Sequence, residues 1–253
     1  MPSRTWTPAA LSSERRRISG VCWRTVEAQH RVSTMKIVDT LAEQALLEEV
    51  LETTKPPVPP ECQQLHYLLS TPFRYAAPYP AGSRFRRAGF TAGVYYASST
   101  PATAIAELAF RRLLFYADSP NTPWPKIGEY TTFSVRFRTT AGLDLTVPPL
   151  SDDERRWLHR TDYDACQELA ERARDAGLEV VRYRSARVDG GINVALLTCR
   201  AFTSREPLDR QTWRIDVGAS GVRAVCDFPE ARLEFDRAAF AVDPRIRALI
   251  WDR

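Results

Sequence analysis

The chain has 253 residues, of which 44% are hydrophobic and 26% charged, and its 35 Lys and Arg offset 31 Asp and Glu to a formal charge of +4. Such a composition supports a full core and excludes a disordered or fibrous chain and a long basic nucleic-acid arm. Five scattered cysteines without a C-x-x-C pair argue against a disulfide framework or zinc site, and the lack of a long uncharged apolar run or signal-like segment makes a cytoplasmic protein the expectation.

The first stretch, residues 1–54, is expected to be a helical extension. Ile37, Leu41, Ala45, Leu47, Val50 and Leu51 recur at helical spacing, with Ser33 or Thr34 as cap, and the apolar stripe is expected to pack on the main core. Four prolines in KPPVPPE, residues 55–61, forbid a helix and mark the boundary to a catalytic domain over residues 55–253. Residues 65–85 read as loop, with Tyr67, Phe73, Tyr75 and Tyr79 interleaved with prolines.

A strand at Gly93–Ala97 then leads into a helix capped by Thr100 with Pro101 in its first turn, which places Glu107 about two turns in. Phe133, Val135 and Phe137 alternate with polar residues as in a half-buried strand. A helix from Asp162 ends at Gly177, strand LEVVRY follows, and Asp189–Gly191 turns into the buried run starting at Asn193. Further strands are expected at Trp213–Val217, Val222–Phe228 and Arg232–Phe235. The sum is an α+β protein with a mostly antiparallel β core and flanking helices.

Chemistry concentrates in GSRFRRAGFTAGVYYASSTPATAIAE, residues 82–107: arginines in a glycine-flanked loop, two tyrosines on a strand and a carboxylate on the next helix. Arginine suits phosphate through its planar fork, and tyrosine can stack on a flat ring. The same residue types also fit a solvated loop charge, a core aromatic and a helix-surface acid. Glu107 stands apart, because an acid among small apolar neighbours needs a partner or a role once it points inward. In YRSARVDGGINVALL, Ser185 and Asn193 can aim hydrogen bonds into a cleft or serve the turn itself.

These two segments resemble the signature stretches of the RES domain, the toxin half of RES–Xre toxin–antitoxin pairs, and the similarity extends from about Trp23 to about Phe202. The resemblance puts the family's arginine at Arg84 or Arg86, its tyrosine at Tyr96 or Tyr95, and its glutamate, serine and asparagine at Glu107, Ser185 and Asn193. Eleven residues separate Tyr96 from Glu107 and eight separate Ser185 from Asn193, spacings associated with the family.

It implies an ADP-ribosyltransferase-like fold and a toxin that depletes NAD⁺ by hydrolysis or phosphorolysis of the nicotinamide–ribose bond, without a metal. In that scheme Glu107 stabilises the ribosyl cation, Arg84 holds phosphate, Tyr96 walls the nicotinamide, and Ser185 and Asn193 orient nicotinamide and ribose. The implied partner is an Xre-family DNA-binding antitoxin. The alternatives are a mono-ADP-ribosyltransferase acting on a protein and a non-catalytic nucleic-acid-binding module built on Arg84, Arg86 and Arg87; direct nucleic-acid binding is not expected, since acids balance the bases and no recognised motif is present.

Overall fold

The computed structural model describes residues 5–28, 34, 37–77, 82–89, 91–123 and 127–251; Ser33 and Tyr79 lie outside them. Helix α1 (Pro8–Ser13) is capped by Thr7, and β1 (Arg16–Glu27) follows it. Helix α2 (Leu41–Thr53) starts at a capping box in which the Thr40 side chain accepts from Glu43 N and the Glu43 carboxylate reaches back to Thr40 N. The cap is therefore Thr40, not the expected Thr34. Helix α3 (Tyr67–Arg74) occupies part of the expected loop, because burying Leu68 and Leu69 outweighs the helix-breaking tendency of Pro72.

Strand β2 (Tyr95–Ser98) runs into α4 (Pro101–Asp118), where Thr100 accepts from Thr103 N and Pro101 sits in the first turn, as expected. Then come β3 (Gly128–Asp144), the short α5 (Glu154–Trp157) and α6 (Asp164–Asp175). Gly177, at φ +67°, closes α6 in the left-handed conformation that glycine adopts without strain. The chain finishes with β4 (Val180–Arg184), β5 (Ile192–Leu196), β6 (Arg210–Gly218), β7 (Gly221–Cys226), β8 (Ala231–Asp236), α7 (Arg237–Ala241) and α8 (Pro244–Arg247).

The eight strands form one sheet in the order β1-β2-β5-β4-β3-β6-β7-β8, and β1 also pairs with β3. That extra pairing closes β1, β2, β5, β4 and β3 into a ring. Among the described residues β3–β4 is the one parallel pair; all others are antiparallel, in line with the expected β-rich core. The expectation of a helical extension over residues 1–54 therefore fails at β1, which pairs with β3 from Arg16↔Gly142 to Glu27↔Tyr130. Its alternation is too irregular to read as a strand without the partner that supplies its hydrogen bonds.

Strand β2 separates two cores, as a period of two requires. Tyr95 joins the cluster around Phe133, Val135 and Leu196, whereas Tyr96 packs against the cluster around Phe85, Trp157 and Tyr183. Helix α2 corrects a second expectation: it does not bury its apolar stripe. Leu41, Val50 and Leu51 are exposed, Gln44 is its buried side chain, and Glu52 ties it to Arg74 Nη1 at 2.7 Å. Polar bonds, not apolar burial, decide how this helix sits.

Candidate active site

Glu107 lies half-buried on α4, facing the strand ends of β2 and β5. Its Oε1 accepts two hydrogen bonds, from Ser185 Oγ at 2.7 Å and from Asn193 Nδ2 at 2.7 Å. Both donors are themselves held. Ser185 Oγ accepts from Arg187 N and Val188 N at 3.0 and 3.1 Å, so its one proton is directed at the carboxylate. Asn193 Oδ1 accepts from Ser98 Oγ at 2.7 Å, which turns the amide nitrogen toward Glu107. Ser185 thus serves its turn and the acid at once, and both residues are hydrogen-bonded to Glu107.

Among the described residues Glu107 Oε2 takes no hydrogen bond and no cation lies within ion-pair distance of the carboxylate. The acid faces a cavity of about 630 Å³, within the size range of sites for nucleotide-sized ligands. Arginine dominates the ionisable groups in its wall: Arg24, Arg84, Arg111, Arg187 and Arg245 all line it, whereas Glu27 and Glu107 are the carboxylates.

Arg84 sits on a tight turn in which Ser83 and Arg86 exchange backbone hydrogen bonds at 2.8 and 3.1 Å. The turn needs Gly82 at φ +67°, where a Cβ would come within 2.4 Å of Arg86 O. The Tyr96 hydroxyl pins the residues on either side of Arg84: it shares a hydrogen bond with Ser83 Oγ at 2.9 Å and accepts from Phe85 N at 2.9 Å. Arg84 then donates through Nη1 to Trp157 O and lies 5.0 Å from the ring centroid of Tyr163. Burial works against its charge, but Cys166, Tyr183, Tyr163 and Glu107 around it hold its pKa above the ordinary arginine value.

The members of the two residue pairs that the sequence leaves open differ in their surroundings. Tyr96 lines the cavity, while Tyr95 is fully buried on the opposite face of β2, edge-on to Phe202 with ring centroids 4.9 Å apart. Arg86 also borders the cavity, but its Nη2 is bound to the carbonyls of Tyr75 and Thr91 at 2.6 and 2.5 Å. Arg87 turns away to Glu171, with Nε and Oε1 2.5 Å apart. Arg84, Arg86 and Arg87 therefore point to three different partners and form no shared basic patch.

Sequence reasoning missed the far wall. Asp243, fully buried, accepts from Arg187 Nη1 at 2.9 Å and from Arg245 Nε and Nη2, both at 3.0 Å. The Arg187 guanidinium lies 3.3 Å from the Phe110 ring centroid, and burial pulls its pKa down against the attraction of Glu107 and Asp243. Arg187 was within reach of the sequence, two residues after Ser185. Asp243 and Arg245, near the C-terminal end, carried no local signal.

All five cysteines are buried and unbridged. Among the described residues no group of three or more His, Cys, Asp or Glu is placed to hold a metal ion, and no helix is long and apolar enough to cross a membrane.

A closed ring of strands thus sets one anchored acid against a cavity lined by arginines. A family model described as "RES domain" matches residues 58–217, and the chain belongs to the RES domain family. Membership is consistent with an NAD-utilising enzyme. None of the curated proteins matches the chain.

Proposed function

We propose that the protein cleaves the nicotinamide–ribose bond of NAD⁺ and acts as a toxin by depleting it. The observation that carries this reading is Glu107: it borders an arginine-lined cavity, its Oε1 is anchored by two donors, and its Oε2 has no hydrogen-bond partner among the described residues. A carboxylate so held cannot turn away when positive charge develops beside it. Its stabilisation is therefore largest in the transition state, as catalysis demands.

In the proposed step the C1′–N bond breaks heterolytically and its electron pair leaves with nicotinamide, which departs neutral from a cationic ring. The ribosyl cation left behind is stabilised by Glu107. Water adds at C1′ and loses a proton to solvent, giving ADP-ribose; phosphate as acceptor would give the corresponding 1-phosphate. Arg84 holds the pyrophosphate and the ring of Tyr96 walls the nicotinamide. Ser185 and Asn193 are positioning residues that act through Glu107. The chemistry needs no metal, and an Xre-type antitoxin that blocks the cavity belongs to the same reading.

The test is incubation of the purified chain with NAD⁺ and chromatography of the products. Nicotinamide with ADP-ribose or its 1-phosphate, lost in Glu107→Gln, is the expected result. ADP-ribose label fixed on a defined protein would replace this reading by protein ADP-ribosylation. Salt-sensitive binding to nucleic acid with no NAD⁺ consumed would replace it by the binding-module reading.

A further inference from the structure

Of the cavity-wall arginines that have no role in the step above, two stand out. Arg24 projects from the middle of β1, a strand outside the span matched by the family model. Its Nη1 donates to Tyr96 O at 2.8 Å, and its guanidinium lies 5.2 Å from the Tyr95 ring centroid. Its Nε is buried with no hydrogen-bond partner among the described residues. Arg111 stands one helical turn beyond Glu107 on α4, exposed, with its guanidinium 5.9 Å from the Tyr96 ring centroid. Both border the cavity.

Apart from Arg84, they alone among the described arginines of that wall have neither a counter-charge nor a set of carbonyls that occupies the guanidinium. Arg112 pairs with Glu27 at 3.5 Å, Arg187 and Arg245 share Asp243, and Arg86 is held by carbonyls. Neither Arg24 nor Arg111 forms an ion pair with a described residue. A sheltered guanidinium with an orphaned N–H is costly, and a second cation nearby adds repulsion. Burial pulls the Arg24 pKa down, and Arg111 pulls it down further. An anion held between the two forks offsets that repulsion.

We infer that Arg24 and Arg111 form a phosphate subsite on the Tyr96 side of the cavity, apart from the turn that carries Arg84. A tetrahedral phosphate has enough oxygens to accept from two guanidinium forks. The phosphate is either free inorganic phosphate or one carried by a dinucleotide; the second source rests on the reading of the cavity given above.

The probes are inorganic phosphate, NAD⁺ and NADP⁺, titrated into the full chain at constant ionic strength with chloride as control. Binding of the dinucleotides is read in a Glu107→Gln background, where turnover is blocked. Thermal stabilisation by free phosphate that needs about tenfold more ligand in Arg111→Gln assigns the subsite to the free ion. No response to free phosphate, with dinucleotide affinity falling about tenfold in Arg111→Gln, assigns it to the substrate's phosphate, and a loss confined to NADP⁺ assigns it to the 2′-phosphate.

Unchanged binding of all three probes in Arg111→Gln overturns the inference. Arg24→Met repeats the test from the buried side, and if it does not fold, the exposed Arg111 decides alone. Phosphate binding that depends on Arg111 in a protein that leaves NAD⁺ intact would overturn the enzymatic reading and leave the subsite standing.

Discussion

Asn193 Nδ2 and Glu107 Oε1 lie 2.7 Å apart although 86 residues separate them in the chain. The contact joins the first turns of α4 to the start of β5, and Ser98 at the end of β2 fixes the amide that makes it. Asn193→Ala removes one of the two anchors of Glu107 and strands the Ser98 hydroxyl. We expect kcat for NAD⁺ consumption to fall about 10–100-fold with KM little changed, because a misplaced acid is felt mainly in the transition state. The fold should lose about 1–3 kcal/mol. Unaltered kcat in a folded variant would show that the anchor is dispensable.

Much of this site is legible in the sequence because its parts are local. The Thr100 cap with Pro101 fixes the phase of α4, and the phase puts Glu107 on the face that meets β5. The Gly82 and Gly190–Gly191 turns mark where Arg84 and Ser185 must sit. By contrast, β1 gains its identity from eleven backbone partners on β3, more than a hundred residues away, and no local pattern reports such a pairing. Arg24 stays hidden for that reason. Asp243 and Arg245 join the site through the same kind of long-range contact, while the apolar stripe of α2 misleads because helical period says nothing about whether a partner surface exists.

The two adjacent tyrosines should respond in opposite ways to loss of a hydroxyl. Tyr96→Phe leaves Phe85 N without its acceptor and frees the turn that carries Arg84, so KM for NAD⁺ should rise severalfold and stability fall by about 1–3 kcal/mol. The Tyr95 hydroxyl is buried without a hydrogen-bond partner among the described residues, so Tyr95→Phe should leave activity intact and be neutral or stabilising by up to about 1 kcal/mol. Chemical denaturation and initial rates on both variants decide; equal losses would mean that the opposite faces of β2 are not distinguished.

Arg84 and Arg86 differ in the same manner. The Arg86 guanidinium is occupied by the carbonyls of Tyr75 and Thr91, so Arg86→Ala should act chiefly on stability, at about 1–3 kcal/mol. Arg84→Ala should weaken NAD⁺ binding about tenfold or more, the scale of one charge-assisted contact to phosphate. Calorimetric titration of NAD⁺ into each variant in a Glu107→Gln background reads this directly. An affinity loss confined to Arg86→Ala would move the phosphate contact by two residues.

The last expectation concerns pH and the buried Asp243. Burial alone would raise its pKa, but the hydrogen bonds from Arg245 and the charges of Arg245 and Arg187 outweigh it and hold the carboxyl below the ordinary aspartate value. With the folded value below the unfolded one, the unfolded chain takes up the proton first as the solution is acidified. The stabilisation is therefore complete above the unfolded pKa of about 4 and is lost as pH falls through the folded value. Asp243→Asn keeps the shape but leaves two arginines without their shared counter-charge, a loss of about 3–5 kcal/mol near neutral pH. Urea denaturation of both proteins from neutral to acid pH should show that gap closing below about pH 4. A gap that is constant or grows on acidification would mean that the two arginines do not depend on the Asp243 charge.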